Sequence, residues 1–223
     1  IMVALRDIAE AQAQSGFGPE AIAAAEAIPD PLKQAEAFAA IADIHVRLDR
    51  ADDARAAALR LAAAAAILEN PSHRVSFLAR EAVTRGRAGE TAEADRILAE
   101  AETLARAQPA SAKSVALRHV ASAFAELRRT NESLRLLRDI PEKSDHVPVL
   151  VTAVTQEALA GNAATAQALA STITETHHRA SVLGPVAAAQ LRAGNRRAAE
   201  ATLAAAFAAA DQIAYPFAKA FAL

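Results

Sequence analysis

The chain has 223 residues, 53% of them apolar and 22% charged, which excludes a disordered polar tail. Its 24 basic and 26 acidic side chains leave a net charge of −2, without the basic excess expected of a protein that coats nucleic acid or an anionic membrane. Having no cysteine, it can build neither disulfides nor thiolate metal sites.

The apolar share is unusual in kind. There are 65 alanines, while only 4% of residues are aromatic and Gly (7) and Pro (9) are few. Alanine is the strongest helix former and its methyl group lets helices approach closely. An all-α protein follows. The longest apolar runs, LAAAAAIL (61–68) and LAAAFAAA (203–210), fall far short of the ~18–20 residues that span a bilayer.

In chain order, the first predicted helix carries Leu5, Ile8 and Ala9 and stops at Gly16; a second carries Ala21, Ala25 and Ile28 and stops before Pro29. The same skeleton returns as Phe38, Ile41, Ala42 with Ala54, Ala58, Leu61, and as Leu78, Ala82 with Ala94, Leu98, Ala101. It recurs as Leu117, Val120, Ala121 with Ser133, Leu137, Ile140, then as Leu150, Ala153, Val154 with Ala166, Ala170, Ile173. The sixth copy has Leu183, Val186, Ala187 with Ala199, Leu203, Ala206. One position of the skeleton falls at 9, 42, 82, 121, 154 and 187, so the steps are 33, 40, 39, 33 and 33.

Apolar residues three or four apart give each helix one buried face, and each unit reads as helix–turn–helix. The units are roughly 1–31, 32–70, 71–109, 110–143, 144–176 and 177–211, with a partial seventh at 212–223. The two long steps add six or seven residues, close to two helical turns, so the buried face keeps its phase. The second helices of copies two and three should therefore run long, over Asp52–Glu69 and Thr91–Ala107. One pair cannot bury its own apolar stripe; its neighbours in a row must do so.

These features resemble the tetratricopeptide repeat family. The resemblance is carried by the first-helix Leu or Phe, the following Ile-Ala or Val-Ala pair, the turn glycines Gly16, Gly89, Gly161 and Gly194, and the small residue opening each second helix. It covers nearly the whole chain. The departures are the absence of Trp, a buried-position Glu81, and Gln12, His45, Arg85, Phe124, Glu157 and Gln190 where the family has a mid-helix Tyr. The variable step also suits a HEAT-like or other α-solenoid. The resemblance implies a right-handed α-solenoid whose first helices line a concave groove for peptides or protein surfaces.

On that frame the first-helix residues turned away from the second helices are Arg6, Glu10, Gln14, Asp43, Arg47, Arg87, Arg118, Ser122, Thr155 and Arg192. They are the candidate groove contacts; the opposing reading is a solvated face with local pairs such as Arg6–Glu10 and Asp43–Arg47. His73, His146, His177 and His178 gather at junctions between copies, where cations complement the carbonyl end of the preceding helix. His45 reads as a satisfied interior residue, and Asp52 or Asp53 as a helix cap. The LGPV run (183–186) should delay or kink its helix.

Tyr215, Phe217 and Phe221 look like a seventh first helix without its mate, so the edge there is expected to self-associate or to continue in a longer chain. No catalytic motif, metal site or cofactor site is expected. The expected role is a non-enzymatic scaffold or adaptor for a protein or peptide, with an assembly module that self-associates through its ends as the alternative and an all-helical enzyme the least favoured. Neither the partner nor the compartment is legible.

Overall fold

The computed structural model describes residues 2–213, and among them there are twelve α-helices and no strand. They are α1 (Met2–Ser15), α2 (Gly18–Glu26), α3 (Pro31–Arg47), α4 (Ala51–Ala66), α5 (Pro71–Arg87), α6 (Thr91–Arg106), α7 (Ala110–Glu126), α8 (Thr130–Leu137), α9 (His146–Leu159), α10 (Ala163–Ala170), α11 (Thr176–Arg192) and α12 (Arg196–Asp211). A 3₁₀ turn, Lys143–Asp145, precedes α9. The chain divides into two compact units, Ile1–Ala123 and Phe124–Leu223.

The turn inside each helical pair explains why the repeat exists. Among the described residues, six hold a positive φ: Gly16 (90°), Asp49 (55°), Gly89 (90°), Arg128 (59°), Gly161 (84°) and Gly194 (77°). Their spacings, 33, 40, 39, 33 and 33, are the repeat steps. At each one, the next N–H donates to the carbonyl five residues back: Phe17 to Gln12, Arg50 to His45, Glu90 to Arg85, Arg129 to Phe124, Asn162 to Glu157 and Asn195 to Gln190, all at 2.8–2.9 Å. This left-handed cap satisfies carbonyls that the helix end leaves open. Four copies use glycine; copies two and four force a side chain into the same conformation.

That difference sets a stability test. An L-residue in the left-handed region costs roughly 1–2 kcal/mol, less for Asp, whose short polar side chain bonds locally. Arg128→Gly should therefore stabilise the second unit by about 1 kcal/mol, more than Asp49→Gly stabilises the first. Gly89→Ala should lose a similar amount, and a Cβ added there would meet no atom within 4 Å, so the loss is a pure backbone effect. Urea midpoints of the three variants check the ordering.

The small residues of the skeleton sit where helices meet. Ala9, Ala42, Ala82, Ala121 and Ala187 on first helices and Ala21, Ala54, Ala94, Ser133, Ala166 and Ala199 on second helices are all at most 1% exposed. In the first unit they join Phe38, Ile41 and Leu61, also at most 2% exposed, in the core. Each such large side chain contributes about 1.5–3 kcal/mol of hydrophobic stabilisation.

α4 and α6 each have 16 residues, against 9 in α2 and 8 in both α8 and α10, as the long steps require. α12 also has 16, a length no later step announces. α4 ends at Ala66 rather than Glu69 because the next helix starts with Pro71. Proline holds Asn70 extended (φ −76°, ψ 112°), and the Asn70 side chain accepts from the Ser72 N–H. Asp30 does the same before Pro31. These prolines open helices rather than close them. The helix does not start late at LGPV: α11 runs from Thr176 to Arg192 with Pro185 inside it.

Packing follows chain order within each unit. α1 packs on α2, α3 on α4 and α5 on α6, while the first helices also touch in sequence, α1 on α3 and α3 on α5. In the second unit α9 packs on α10 and α11 on α12, with α9 beside α11. Among the described residues, no Cα pair within 8 Å joins α4 to α6 or α10 to α12.

Candidate functional site

The first unit places Arg6, Glu10 and Gln14 on α1, Asp43 and Arg47 on α3, Arg87 on α5, and Arg118 and Ser122 on α7. Arg6 Nε stands 3.5 Å from Glu10 Oε1, the expected pair one turn apart. Asp43 does not pair with Arg47. It takes a hydrogen bond from the Arg80 guanidinium on α5, because the next first helix brings that cation closer than its own helix does. Arg80 escaped the sequence reading, although its position, 37 residues after Asp43, is one long step less a helical turn. Arg47 is left exposed, with no ion pair among the described residues. Gln14 is exposed, Ser122 half-buried.

In the second unit, Thr155 and Arg192 are committed to the backbone. Thr155 Oγ1 donates to the Val151 carbonyl (2.8 Å) and the Arg192 guanidinium donates to the Ala158 carbonyl at the end of α9 (2.7 Å). Arg50 performs the same bridge in the first unit, donating to the Ala13 carbonyl (3.3 Å). These arginines tie the turn of one pair to the helix end of the pair before it. Tyr215, Phe217 and Phe221 lie outside the described residues.

A second set of polar residues lies inside. The row three residues after positions 9, 42, 82, 121, 154 and 187, where tetratricopeptide repeats carry a Tyr, is largely buried. His45 is 0% exposed, and neither ring nitrogen has a hydrogen-bond partner; Asp53 Oδ2 stands 3.9 Å from Nδ1. It is interior as expected but not satisfied. Burial pushes its pKa down, Asp53 opposes that and Arg50 reinforces it. Neither Asp52 nor Asp53 caps α4, which has no side-chain cap, and Asp53 Oδ1 stands 2.6 Å from where a Cβ on Gly18 would be.

Arg85 donates through Nε to the buried carboxylate of Glu81 and through a terminal nitrogen to Glu90, both at 2.8 Å. Burial raises the Glu81 pKa and Arg85 pulls it back. Glu81, the apparent exception to the apolar pattern, is thus explained by its neighbour one turn on. In the second unit Glu157 accepts from Thr130 Oγ1 and from Asn162 Nδ2, and Gln190 donates to Gln167 Oε1 (3.3 Å).

Of the junction histidines, His146 meets a helix end. The ring Nε2 of His146 lies 2.8 Å from the Ile140 carbonyl, and at the first junction Gln34 donates to the Glu26 and Ile28 carbonyls (both 3.1 Å). Lys33 pairs with Glu36. His177 and His178 place their ring centroids 3.9 Å apart. No group of three or more His, Asp or Glu that could hold a metal ion occurs among the described residues. None of the described helices is long and apolar enough to cross a membrane.

Clefts open where second helices part. One of about 330 Å³ lies among α4, α5 and α6, with Leu59, Leu78 and Ile97 beside Arg74 and the Glu81–Arg85 pair. Another, about 800 Å³, lies in the second unit against the start of α10, Gln190 and Asn195. Comparison with family models, with curated proteins and with solved structures finds no match.

Proposed function

We propose that the chain is a non-enzymatic scaffold of the tetratricopeptide-like kind, a right-handed α-solenoid that holds a peptide or protein segment against the row of its first helices. The observation that carries this reading is the unequal spacing of the two rows. In the first unit α1, α3 and α5 touch in sequence, whereas among the second helices α2 touches α4 but α4 does not touch α6. A row packed more closely than its mate lies on the inside of a curve, so the first helices line the concave side. That side presents the Arg6–Glu10 pair, the Asp43–Arg80 bridge and the unpaired Arg47. Alternating charges of this sort select a partner and its register more than they add affinity.

Capture of proteins by the immobilised chain, quantified by mass spectrometry, tests the reading. Arg47→Glu should lose a captured partner by about tenfold or more, the scale of one misplaced charge at about 1.4 kcal/mol. Glu69→Lys, an equally exposed charge outside the first helices, should retain it. Identical capture by both variants sinks the groove.

A second reading, self-association through the ends, draws on α12. It exposes Leu203 (37%) and Phe207 (57%) beside a run of alanines. If Arg47→Glu and Arg118→Glu leave capture intact while Phe207→Glu abolishes an oligomer seen by light scattering, the ends carry the function and the groove does not.

A further inference from the structure

Along α5, Arg74, Leu78, Glu81 and Arg85 are spaced four, three and four, which sets them in one stripe. The stripe lines the cleft of about 330 Å³ among α4, α5 and α6. It stays uncovered because, among the described residues, no Cα pair within 8 Å joins α4 to α6. α4 supplies an apolar wall of Leu59, Ala62 and Ala66, with Leu59 59% exposed. Leu78 and Ile97 extend that wall, and no aromatic ring lines the cleft. The size is that of a site for a small ligand, and the walls suit an aliphatic body.

Six charged side chains line the same cleft, and five of them answer one another. Glu81 takes Arg85 Nε at 2.8 Å, and Arg96 serves both Glu93 (2.8 Å) and Glu100 (3.3 Å). Arg74 is the sixth. It is half-buried, and among the described residues its side chain has neither a hydrogen bond nor an ion pair. Gln34 occupies the same helix position one step of 40 residues earlier and donates to the carbonyls of Glu26 and Ile28 (both 3.1 Å). Arg74 makes no such bond to the end of α4. A guanidinium keeps its charge and offers N–H donors in a fork that matches the two oxygens of a carboxylate.

The cleft thus presents one unanswered cation beside an aliphatic wall. We propose that it binds a small aliphatic carboxylate, with the carboxylate on the Arg74 guanidinium and the chain against Leu59, Ala62, Leu78 and Ile97. The other two arginines are occupied by glutamates, so the site takes one negative charge and not two. It uses none of Arg6, Glu10, Asp43, Arg80 or Arg47, and it does not depend on the groove of the first helices.

NMR titration of the ¹⁵N-labelled chain with sodium hexanoate tests the site. Sodium acetate, which has the charge without the chain, and hexylammonium chloride, which has the chain with the opposite charge, are the comparison probes. Hexanoate should produce saturable shifts in the Arg74 Nε–H signal and in the backbone N–H signals of Ala62, Ala66 and Leu78. Both comparison probes should bind at least about tenfold more weakly. Arg74→Gln should weaken hexanoate by about tenfold or more. Ala66→Phe, at an exposed position on the wall, should block the cleft without moving the unfolding midpoint. Four results overturn the proposal. They are no saturable shift with hexanoate, equal binding of acetate, which would leave only an exposed cation, equal or tighter binding of hexylammonium, which would assign the cleft to its glutamates, and unchanged hexanoate binding by either variant.

Discussion

Replacing Arg85 with alanine should cost about 3–5 kcal/mol, the largest single-residue effect we expect outside the apolar core. The reason is not the strength of the ion pair but what its loss leaves behind. The Glu81 side chain is 5% exposed and the Arg85 side chain 14%. Without the guanidinium, Glu81 must either stay charged in an apolar surround or take up a proton. Glu90 loses the nearer of its two cations at the same time, keeping Arg55 at 3.6 Å. A double variant, Glu81→Leu with Arg85→Met, should recover most of the loss, since an apolar pair of similar volume removes both desolvation costs.

The pH dependence separates this account from simple loss of packing. Burial holds the Glu81 pKa above its ordinary 4.5, with Arg85 opposing the rise. A carboxyl whose folded pKa is raised binds more protons folded than unfolded, so stability declines as pH climbs from the unfolded value through the folded one. Removing Arg85 takes away the opposing effect and carries that window upward. Urea unfolding of Arg85→Ala should therefore show a smaller deficit at pH 5 than at pH 8. A deficit independent of pH would mean that the guanidinium acts through its aliphatic stem.

The contrast between what was legible in the sequence and what was not has a physical pattern. Spacing along one chain is local information, and everything that depends on it was readable. The repeat step sets the length of α4 and α6, and the small residues mark the buried contacts. The turn position is equally regular, yet only its four glycines were visible; Asp49 and Arg128 carry the same φ with no compositional sign of it. α12 matches α4 in length without any later step to announce it.

Partners across neighbouring helices were the part that stayed hidden. Asp43 has a cation four residues away on its own helix and ignores it for Arg80 on the next. Thr155 and Arg192 have the right phase for an outward face, but a nearby carbonyl claims each. Phase along a helix says which way a residue leaves the axis. It says nothing about how far away the next polar atom lies, and that distance decides whether a side chain is available to a ligand. The largely buried row of Gln12, His45, Arg85, Glu157 and Gln190 shows the same limit: each polar residue was plain in the sequence, but its partner was not.

His45 is the member of that row with the sharpest consequence, because it is buried completely and its ring bonds to nothing. His45→Leu, of nearly equal volume, should stabilise the first unit by about 1–3 kcal/mol at pH 7.5, since it removes two polar atoms that folding strips of water without compensation. The sign with pH runs opposite to that of Glu81. Burial depresses the folded pKa of His45 below 6.5, Arg50 acts in the same direction, and only Asp53 resists. The unfolded chain therefore takes up a proton below pH 6.5 that the folded chain refuses, and stability falls as pH drops from 6.5 through the folded pKa. In His45→Leu that slope should flatten but not vanish, because burial depresses His119 and His178 as well. His45→Gln keeps a polar group and loses the proton, so it should flatten the slope without the full gain at pH 7.5. If instead wild type and both variants lose stability in parallel between pH 7.5 and 5, the ring already finds a partner for its proton. Asp53, 3.9 Å from Nδ1 in the described structure, would then have to close on it as the pH falls.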